Sequence, residues 1–580
     1  MKKINLFLCF LLLHNIVISQ NKTDYFSIIE NYKSKIEQVI KSGKVKGMAI
    51  ALIDGNKIVW SENFGYSDYE NKIKADSNTI YGIGSVSKLF TGTAIMQLHE
   101  KGKLDIDKPI SVYSPEFKIK KRHNPETKIT ARMLLCHHSG LPSDITTGVF
   151  SQKPKPFQSI VELVKKEYAP YTPDYIYSYS NIGYSLLGII IENVSGEPYE
   201  NYIKSNIFDP LQMHSACFTS DKSIKFSKGY DEKGNLREEY GIRPVPAGAI
   251  KSNIRDMAKF AMSFLPEYNG TTILKQETIK EMLKRQNNNS PLDLNKKYGL
   301  TWHYERINSA GQIYYHTGGT LNHRSLLAIA PESNLAAVIL SNSVSSGRFH
   351  GITMNLLDTC AILKGRDTFK SNYKVSEPEP VTLSNNELEV YKGFYANSMF
   401  VIKIDSEQNK LTTKIQGNQY ILNPLKDGSF LPQIVLPKNK LHTLNDNRLE
   451  FKNIENNNIL IFHTLSKNKK QILAIKFQPK EINDLWKSRV GTYQLAEIND
   501  SDFPMLAAFE LAIDNGIMVL KITEEYEGAL MWNPALLIKD DNVAFPMGIG
   551  RHRGSTLLFE SDKGKEILWY SGYKLKRVEN

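Results

Sequence analysis

The pattern of apolar and polar residues changes once along this chain, near residues 371–385, and this change constrains the fold most. Before it, strand-like runs surround a long stretch of helical patterns, whereas after it short alternating apolar runs are separated by Asn, Lys and Gly. The segment between contains Ser376-Glu377-Pro378-Glu379-Pro380, a polar, proline-bearing sequence typical of a linker. At 580 residues the chain is also too long for one compact core. We therefore predict separate domains joined by a linker at 371–385.

The part before the linker, residues 22–370, predicts an α+β domain in which helices flank an antiparallel sheet. Apolar runs at 48–53 and 57–60 are joined by Asp54-Gly55-Asn56, which is a strong indication of a β-hairpin. Further strand-like runs follow at 298–304, 312–317, 325–330 and 335–341. Helical patterns occupy 24–42, 158–167, 182–194 and 253–265. Strands at both ends of a helical middle favour one sheet with helices packed against it.

The part after the linker predicts two all-β barrels, at 386–480 and 481–580. Its short alternating runs are typical of barrels or sandwiches. A faint internal repeat supports two units, because Tyr391-Lys392-Gly393-Phe394-Tyr395 and Arg489-Val490-Gly491-Thr492-Tyr493 begin similar strand-rich stretches.

Residues 1–19 are typical of a secretory signal peptide. Lys2 and Lys3 precede an apolar run at 4–13, and Val17-Ile18-Ser19 forms a small-residue cleavage site. We expect a secreted or periplasmic protein without a transmembrane segment in the mature chain, since no later run approaches a membrane span. Removal of residues 1–19 takes away Cys9 and leaves Cys136, Cys217 and Cys360. Because an odd number cannot pair fully, we expect all three to be free thiols.

The net charge of +12 comes from lysines that are scattered through the chain. This distribution argues against nucleic-acid binding, but it leaves attraction to an anionic cell-wall polymer open. No Cys/His spacing, phosphate loop or zinc helix motif occurs, so we predict no metal and no cofactor. The adjacent pair His137-His138 is interpreted as structural.

Three segments carry residues suited to acyl transfer. Ser85 and Lys88 stand three apart at the start of a predicted helix, so their side chains share one face. A neutral lysine amine there could take the proton of the serine hydroxyl. Tyr179-Ser180-Asn181 precedes the next apolar helix and offers a phenol for proton relay and an amide for a substrate contact. The third segment, Tyr314-Tyr315-His316-Thr317-Gly318-Gly319, reads as a strand whose glycines let a substrate backbone approach.

In this order the three segments resemble the motifs of the penicillin-recognising serine hydrolases, whose usual set is Ser-x-x-Lys, Ser-Asp-Asn and Lys-Thr-Gly. The second and third motifs depart from that set. They are more similar to the branch that includes class C β-lactamases, DD-peptidases, esterases and D-aminopeptidases. The resemblance covers roughly residues 25–365, through blocks at 80–109, 129–142, 179–196, 246–264 and 316–342. A hydrolase domain followed by two lipocalin-like barrels also resembles the D-aminopeptidase architecture.

The resemblance implies a role for each motif residue. Ser85 would be the acylated nucleophile, Lys88 its proton acceptor, Tyr179 a general base or proton relay, and Asn181 the contact to the substrate amide. The oxyanion hole would consist of the backbone N–H groups of Ser85 and Gly319. The other implied substrate-binding residues are His316, Thr317 and Gly318.

The implied function is that of an exported, metal-free serine hydrolase, similar to peptidase family S12, acting through a Ser85 acyl-enzyme. Its substrate would be a small peptide or ester, with D-amino-acid-containing peptides as the leading class. His316 stands where β-lactamases of this family usually have lysine, and a histidine is mostly neutral above about pH 6.5. This disfavours β-lactam hydrolysis. The alternatives are an esterase or β-lactamase of the same family, or a slow protein that binds cell-wall peptides or other ligands; the oligomeric state stays open.

Overall fold

A computed structural model describes the chain at residues 24–122, 128–218, 226–307, 309–345, 349–367, 378–415, 417–466, 468–497, 499–503, 505–506, 508–523 and 531–578. The predicted signal peptide at 1–19 and the first half of the predicted linker lie outside these residues. Within the described ranges, no helix is long and apolar enough to cross a membrane.

The first domain is built on a seven-stranded antiparallel sheet, as the sequence predicts. Its strands are β1 Gly47–Asp54, β2 Lys57–Asp68, β3 Ile73–Lys74, β4 His303–Ile307, β5 Gly311–Gly319, β6 Arg324–Ala330 and β7 Leu335–Ser341. They lie in the order β4-β5-β6-β7-β1-β2-β3, so the last strands of the domain pair with the first. Strand β4 begins later than the predicted strand-like run at 298–304. Residues 299–302 form a tight turn instead, in which Gly299 N donates to Trp302 O at 2.9 Å and Thr301 has a φ of 72°.

Helices cover both faces of this sheet. They are α1 Phe26–Lys41, α2 Ser87–Glu100, α3 Ala131–Leu135, α4 Ile160–Leu163, α5 Asn181–Ser195, α6 Tyr199–Ile203, α7 Val245–Gly248, α8 Ile254–Met262, α9 Gln276–Met282 and α10 Phe349–Leu363. Strand β1 shows why two cores form, because successive side chains of a strand point to opposite faces. Its Met48, Ile50 and Leu52 pack with α1 and α10, whereas Ala49, Ala51 and Ile53 pack with α2, α5 and α8.

Two helices differ from their predicted form. The sequence predicts a helix that begins at Ser85, but Ser85 lies in a 3-10 turn, Gly84–Val86, and α2 follows at Ser87. Every residue at 87–98 is buried, because α5, α7 and α6 pack around α2. The helix predicted at 158–167 is interrupted, since 3-10 turns at Phe157–Ser159 and Val164–Lys166 flank the short α4.

The last third of the chain contains the two predicted barrels. In barrel 1, after helix α11 Asn385–Glu389, the strands are β8 Gly393–Ala396, β9 Val401–Glu407, β10 Lys410–Ile415, β11 Asn418–Pro424, β12 Phe430–Leu436, β13 Lys440–Thr443, β14 Asn447–Ile454, β15 Asn457–Thr464 and β16 Lys469–Phe477. Eight of them close into a ring through the pairing of β11 with β12, and β13 lies outside the ring.

Barrel 2 repeats this plan. After helix α12 Asp484–Ser488, its strands are β17 Gly491–Leu495, β18 Ala508–Asp514, β19 Ile517–Thr523, β20 Met531–Trp532, β21 Leu536–Ile538, β22 Val543–Pro546, β23 Leu557–Asp562, β24 Lys565–Tyr570 and β25 Tyr573–Arg577. The ring is nearly closed, by a single bridge between Val519 and Ala535. Equivalent tyrosines make the same hydrogen bond: Tyr395 donates to Tyr391 O, and Tyr493 donates to Arg489 O, both at 2.8 Å.

Barrel 2 contacts the first domain through a buried carboxyl group. Glu167 is 4% exposed, and its Oε2 accepts a hydrogen bond of 2.8 Å from the backbone N–H of Thr556. Burial raises the pKa of Glu167 from its ordinary 4.5 to about 7, although the Thr556 hydrogen bond acts in the opposite direction. The folded protein therefore retains a proton on Glu167 at pH values where the unfolded chain has lost it.

This shift predicts a pH-dependent stability. Because the folded state binds more protons between pH 4.5 and about 7, the free energy of unfolding should fall as pH rises through that window, by on the order of 3 kcal/mol. Glu167→Gln should remove this dependence, which thermal unfolding midpoints at several pH values can measure. Glu162→Gln is the control, since Glu162 is largely exposed beside Lys165. An unchanged pH dependence in Glu167→Gln would contradict the assignment.

Candidate active site

Ser85 is held against the end of strand β5 by close backbone approaches. Gly84 has a φ of 51°, and a Cβ at this position would lie 2.5 Å from Gly319 N. A Cβ at Gly318 would lie 1.9 Å from Ile83 O. Ser325 also donates a hydrogen bond of 2.6 Å to Ile83 O, which fixes the turn from the neighbouring strand. Glycine is therefore required on both sides of this contact, and Ser85 lies beside the Gly318-Gly319 backbone.

Lys88 lies one helical turn beyond Ser85 and is completely buried. Its Nζ is 3.2 Å from Ser85 Oγ and donates a 2.7 Å hydrogen bond to Ala247 O. Burial holds the pKa of Lys88 well below its ordinary 10.5. A buried amine is costly to charge, and the neutral form has a lone pair. The arrangement can therefore move a proton from the Ser85 hydroxyl to Lys88.

The Tyr179 ring lies close to the same amine. The centre of its ring is 4.8 Å from Lys88 Nζ. Burial raises the pKa of Tyr179 to about 12, although the Arg551 charge and a hydrogen bond with Ser85 lower it. The phenol is therefore protonated near neutral pH. Of the two predicted roles, this protonation state suits a proton relay and disfavours a tyrosinate base.

Asn181 begins helix α5, and the cap of that helix sets its position. The Ser180 hydroxyl accepts a 2.9 Å hydrogen bond from Gly183 N and donates to Pro142 O at 2.6 Å. Asn181 Nδ2 then donates to Asp144 Oδ1 at 2.6 Å. Asp144 thus orients the amide, and nothing in the sequence distinguishes it from the other aspartates.

His316 is buried and neutral near pH 6.5, where an ordinary histidine is about half-charged. It is 2% exposed, and burial lowers its pKa well below 6.5, with the neighbouring His303 adding to the shift. Its Nδ1 lies 2.7 Å from Thr317 O, a distance that assigns the ring proton to Nδ1. Its Nε2 has no hydrogen-bond partner among the described residues.

The His137-His138 pair has structural contacts, as predicted. His137 Nδ1 accepts a 3.1 Å hydrogen bond from Ser180 N, and His138 Nε2 pairs with Asp293 at 2.6 Å. Across the described ranges, no group of three His, Cys, Asp or Glu side chains is placed to hold a metal ion.

One cleft of about 790 Å³ brings the predicted residues together. Its walls include Ser85, Tyr179, Asn181 and residues 316–319, and Lys88 lies behind Ser85. The cleft also reaches barrel 2, which contributes Arg551, Leu506, Ile522, Trp532 and Tyr570 to its lining. The predicted residues therefore lie together, but sequence analysis missed Asp144 and Arg551, whose roles depend on contacts between distant segments.

Comparison with known proteins identifies the family of the first domain. The sequence profile of the family described as Beta-lactamase matches residues 33–360, more than half of the chain. The chain belongs to the β-lactamase family. The family assignment covers the α+β domain, and the barrels lie outside the matched range.

Sequence identity to a curated relative is low. Protein flp of Staphylococcus aureus (strain N315) is 28% identical over 317 residues, covering 53% of this chain and 61% of flp. The chain thus spans about three fifths of the length of that curated relative.

Two solved structures share the fold. The octameric penicillin-binding protein homologue from Pyrococcus abyssi has a TM-score of 0.52 at 23% identity and covers 77% of this chain and all of its own. SurE, crystallised with D-Leu, has a TM-score of 0.56 at 18% identity and covers 77% of this chain and 99% of its own.

The contact between the serine turn and β5 predicts that this β-lactamase-family cleft will not tolerate a side chain at residue 318. Gly318→Ala would place a methyl group against Ile83 O and 2.3 Å from Ser325 Oγ, so the strand must move away from Ser85. We expect at least a tenfold loss in the rate at which a fluorophosphonate labels Ser85. Gly351→Ala is the matched control, because a Cβ there meets nothing within 4 Å. Equal labelling rates in both variants would contradict the prediction.

Proposed function

We propose that this protein is an exported serine hydrolase that cleaves amide or ester bonds through an acyl-enzyme on Ser85, with D-amino-acid-containing peptides as its leading substrates. The observation that carries the proposal is the 3.2 Å contact between Ser85 Oγ and the buried amine of Lys88. A buried lysine with a lowered pKa is suited to act as a base near neutral pH.

The proposed reaction has two acyl transfers. In the first, Ser85 gives its hydroxyl proton to Lys88 Nζ while Oγ bonds to the substrate carbonyl carbon, and the carbonyl oxygen becomes an oxyanion. Backbone N–H groups of Ser85 and Gly319 would stabilise that oxyanion. When the C–N or C–O bond breaks, the proton passes to the leaving group, relayed by the Tyr179 phenol. In the second transfer, a water oxygen bonds to the ester carbonyl carbon and its proton passes to Lys88 Nζ. The bond from that carbon to Ser85 Oγ then breaks, the proton returns to Oγ, and the carboxylic acid product leaves.

The edge of β5 supports a peptide-like substrate. Strand β4 pairs with β5 only as far as Tyr315, so the β5 residues 316–319 extend past the last pair of the described β4. An extended substrate could add to this edge as a further strand, which is a common mode of peptide recognition. Asn181, which lines the same cleft, offers an amide that can pair with a substrate amide.

The neutral state of His316 supports the choice among substrate classes. An uncharged imidazole gives weaker attraction to a substrate carboxylate than the lysine of Lys-Thr-Gly β-lactamases. The preference for D-amino-acid peptides otherwise rests on the motif and domain resemblance, and export rests on residues 1–19. An esterase or a β-lactamase of the same family is distinguished from this proposal by its preferred acyl donor.

Initial rates on several acyl donors test the proposal. Purified mature protein would be assayed with D-alanine p-nitroanilide, L-alanine p-nitroanilide, p-nitrophenyl butyrate and nitrocefin. We expect the D-anilide to be preferred over the L-anilide, and Ser85→Ala to reduce turnover of every donor by at least 10³-fold. Ser466→Ala is the matched control and should keep full activity, because Ser466 also precedes a lysine by three residues but lies in a barrel 1 turn.

Each result of this assay has a defined meaning. Turnover that persists in Ser85→Ala would disprove the acyl-enzyme. Ser85-dependent turnover of only the butyrate ester or nitrocefin would support the hydrolase and contradict the D-peptide assignment. A folded protein that turns over none of the donors, and whose Ser85 is not labelled by a fluorophosphonate, would contradict the enzymatic function.

A further inference from the structure

Arg551 reaches the active-site cleft from barrel 2. It lies in a 3-10 turn, Arg551–Gly554, between strands β22 and β23. Its Nε donates to Ser143 Oγ at 2.7 Å and its Nη2 donates to Asp144 Oδ2 at 2.8 Å. The guanidinium carbon is 4.9 Å from the centre of the Tyr179 ring. A residue of the C-terminal barrel thus contacts three side chains around Ser85.

The Asp144 carboxylate connects Arg551 to a predicted substrate-binding residue. One of its oxygens accepts the hydrogen bond from Arg551, and the other accepts the 2.6 Å hydrogen bond from Asn181. Although burial raises the pKa of Asp144, the Arg551 charge and hydrogen bonds lower it to about 2. Asp144 is therefore an anion at every pH at which the protein is assayed, and Arg551 is its counter-charge.

Apart from Asp144 and Arg551, the titratable groups around Lys88 are uncharged near neutral pH. Besides Ser85, the titratable or charged groups that face it are Tyr179, Tyr184, His137, His303, His316, Asp144 and Arg551. Burial keeps both tyrosines protonated and all three histidines neutral. Among these described groups, only Asp144 and Arg551 carry charge. An anion favours a protonated amine and a cation disfavours it, so the two residues act on Lys88 with opposite sign.

We propose that Arg551 is a positioning residue of the active site, which holds Asp144 against Asn181 and supplies the positive charge that offsets this carboxylate beside Tyr179 and Lys88. The inference rests on the proposed function, because it concerns how the Ser85 reaction is supported. It makes barrel 2 part of the catalytic apparatus of the chain. Arg551 also places a positive charge in the cleft, to which the third motif contributes the neutral His316.

An anchoring role alone does not account for this placement. Barrel 2 already contacts the first domain through Thr146 N and Ser571 Oγ at 2.9 Å, and through Thr556 N and Glu167 at 2.8 Å. Neither contact involves the side chains of Ser143, Asp144 or Tyr179, which Arg551 contacts. Arg551 instead pairs with Asp144, which accepts the hydrogen bond from Asn181. Its side chain is 46% exposed and lines the cleft.

The pH dependence of Ser85 reactivity tests the proposal in the full-length mature protein. The variants are Arg551→Gln, Arg551→Lys, Asp144→Asn and the control Arg577→Gln; Arg577 lies in the same barrel and donates to Ser488 O and Val490 O. The readouts are the rate of fluorophosphonate labelling and kcat/KM for p-nitrophenyl butyrate, followed at the isosbestic wavelength of nitrophenol. Thermal unfolding checks that each variant is folded.

Loss of the Arg551 charge should raise the pKa of Lys88. The acid limb of the pH–rate profile, where the rate rises as Lys88 loses its proton, should therefore move to higher pH by about one unit in Arg551→Gln. The rate would then fall about tenfold on the acid side and recover towards alkaline pH. Arg551→Lys, which keeps the charge, should restore the position of the limb, and Arg577→Gln should match the wild type. Asp144→Asn removes the anion, so its acid limb should move to lower pH even though its maximal rate falls.

A uniform loss of rate at all pH values in folded Arg551→Gln, or no loss, would overturn the proposal. If Arg551→Gln does not fold, the Arg551→Lys variant tests the proposal. This variant keeps the positive charge, so an acid limb displaced from that of the wild type would contradict the proposal. Absence of any Ser85-dependent reaction in the wild type would instead contradict the proposed function.

Discussion

The burial of the Lys88 amine is the constraint on which the rest of the site depends. A charged amine in the interior would have to give up its hydration, so burial favours the neutral form that can accept a proton. The same desolvation keeps His316 and His303 neutral. A pocket made largely of neutral groups is sensitive to any remaining charge, which is why the Asp144–Arg551 pair matters.

The position of the nucleophile depends on backbone contacts more than on side chains. The serine turn and strand β5 approach so closely that a Cβ at Gly84 or Gly318 would overlap the other segment. Because Gly318 and Gly319 of β5 pair with β6 in the seven-stranded sheet, Ser85 is placed against regular backbone structure. A site supported in this way can hold an oxyanion hole in its geometry without reorganisation during the reaction.

The two barrels share one plan but differ in what they contribute. Each has a short helix before its first strand and the same tyrosine-to-backbone hydrogen bond. Barrel 2 lines the Ser85 cleft, whereas barrel 1 contacts the first domain elsewhere, as in the 2.8 Å hydrogen bond from Asn457 to Tyr175. Repetition of a fold within one chain therefore does not imply repetition of a role.

The sequence by itself determined the elements whose contacts are local or periodic. The hairpin at Asp54-Gly55, the Ser85–Lys88 spacing and a helix near 182–194 were predictable from short-range patterns, and the tandem barrels from alternating apolar runs and a faint repeat. Only the tertiary structure decided the burial of α2 on every side, the turn that delays β4, the neutral state of His316 and the arrival of Arg551 at Asp144. Spacing along a chain fixes which side chains share a face, but burial and charge pairing depend on segments that meet only when the chain is folded.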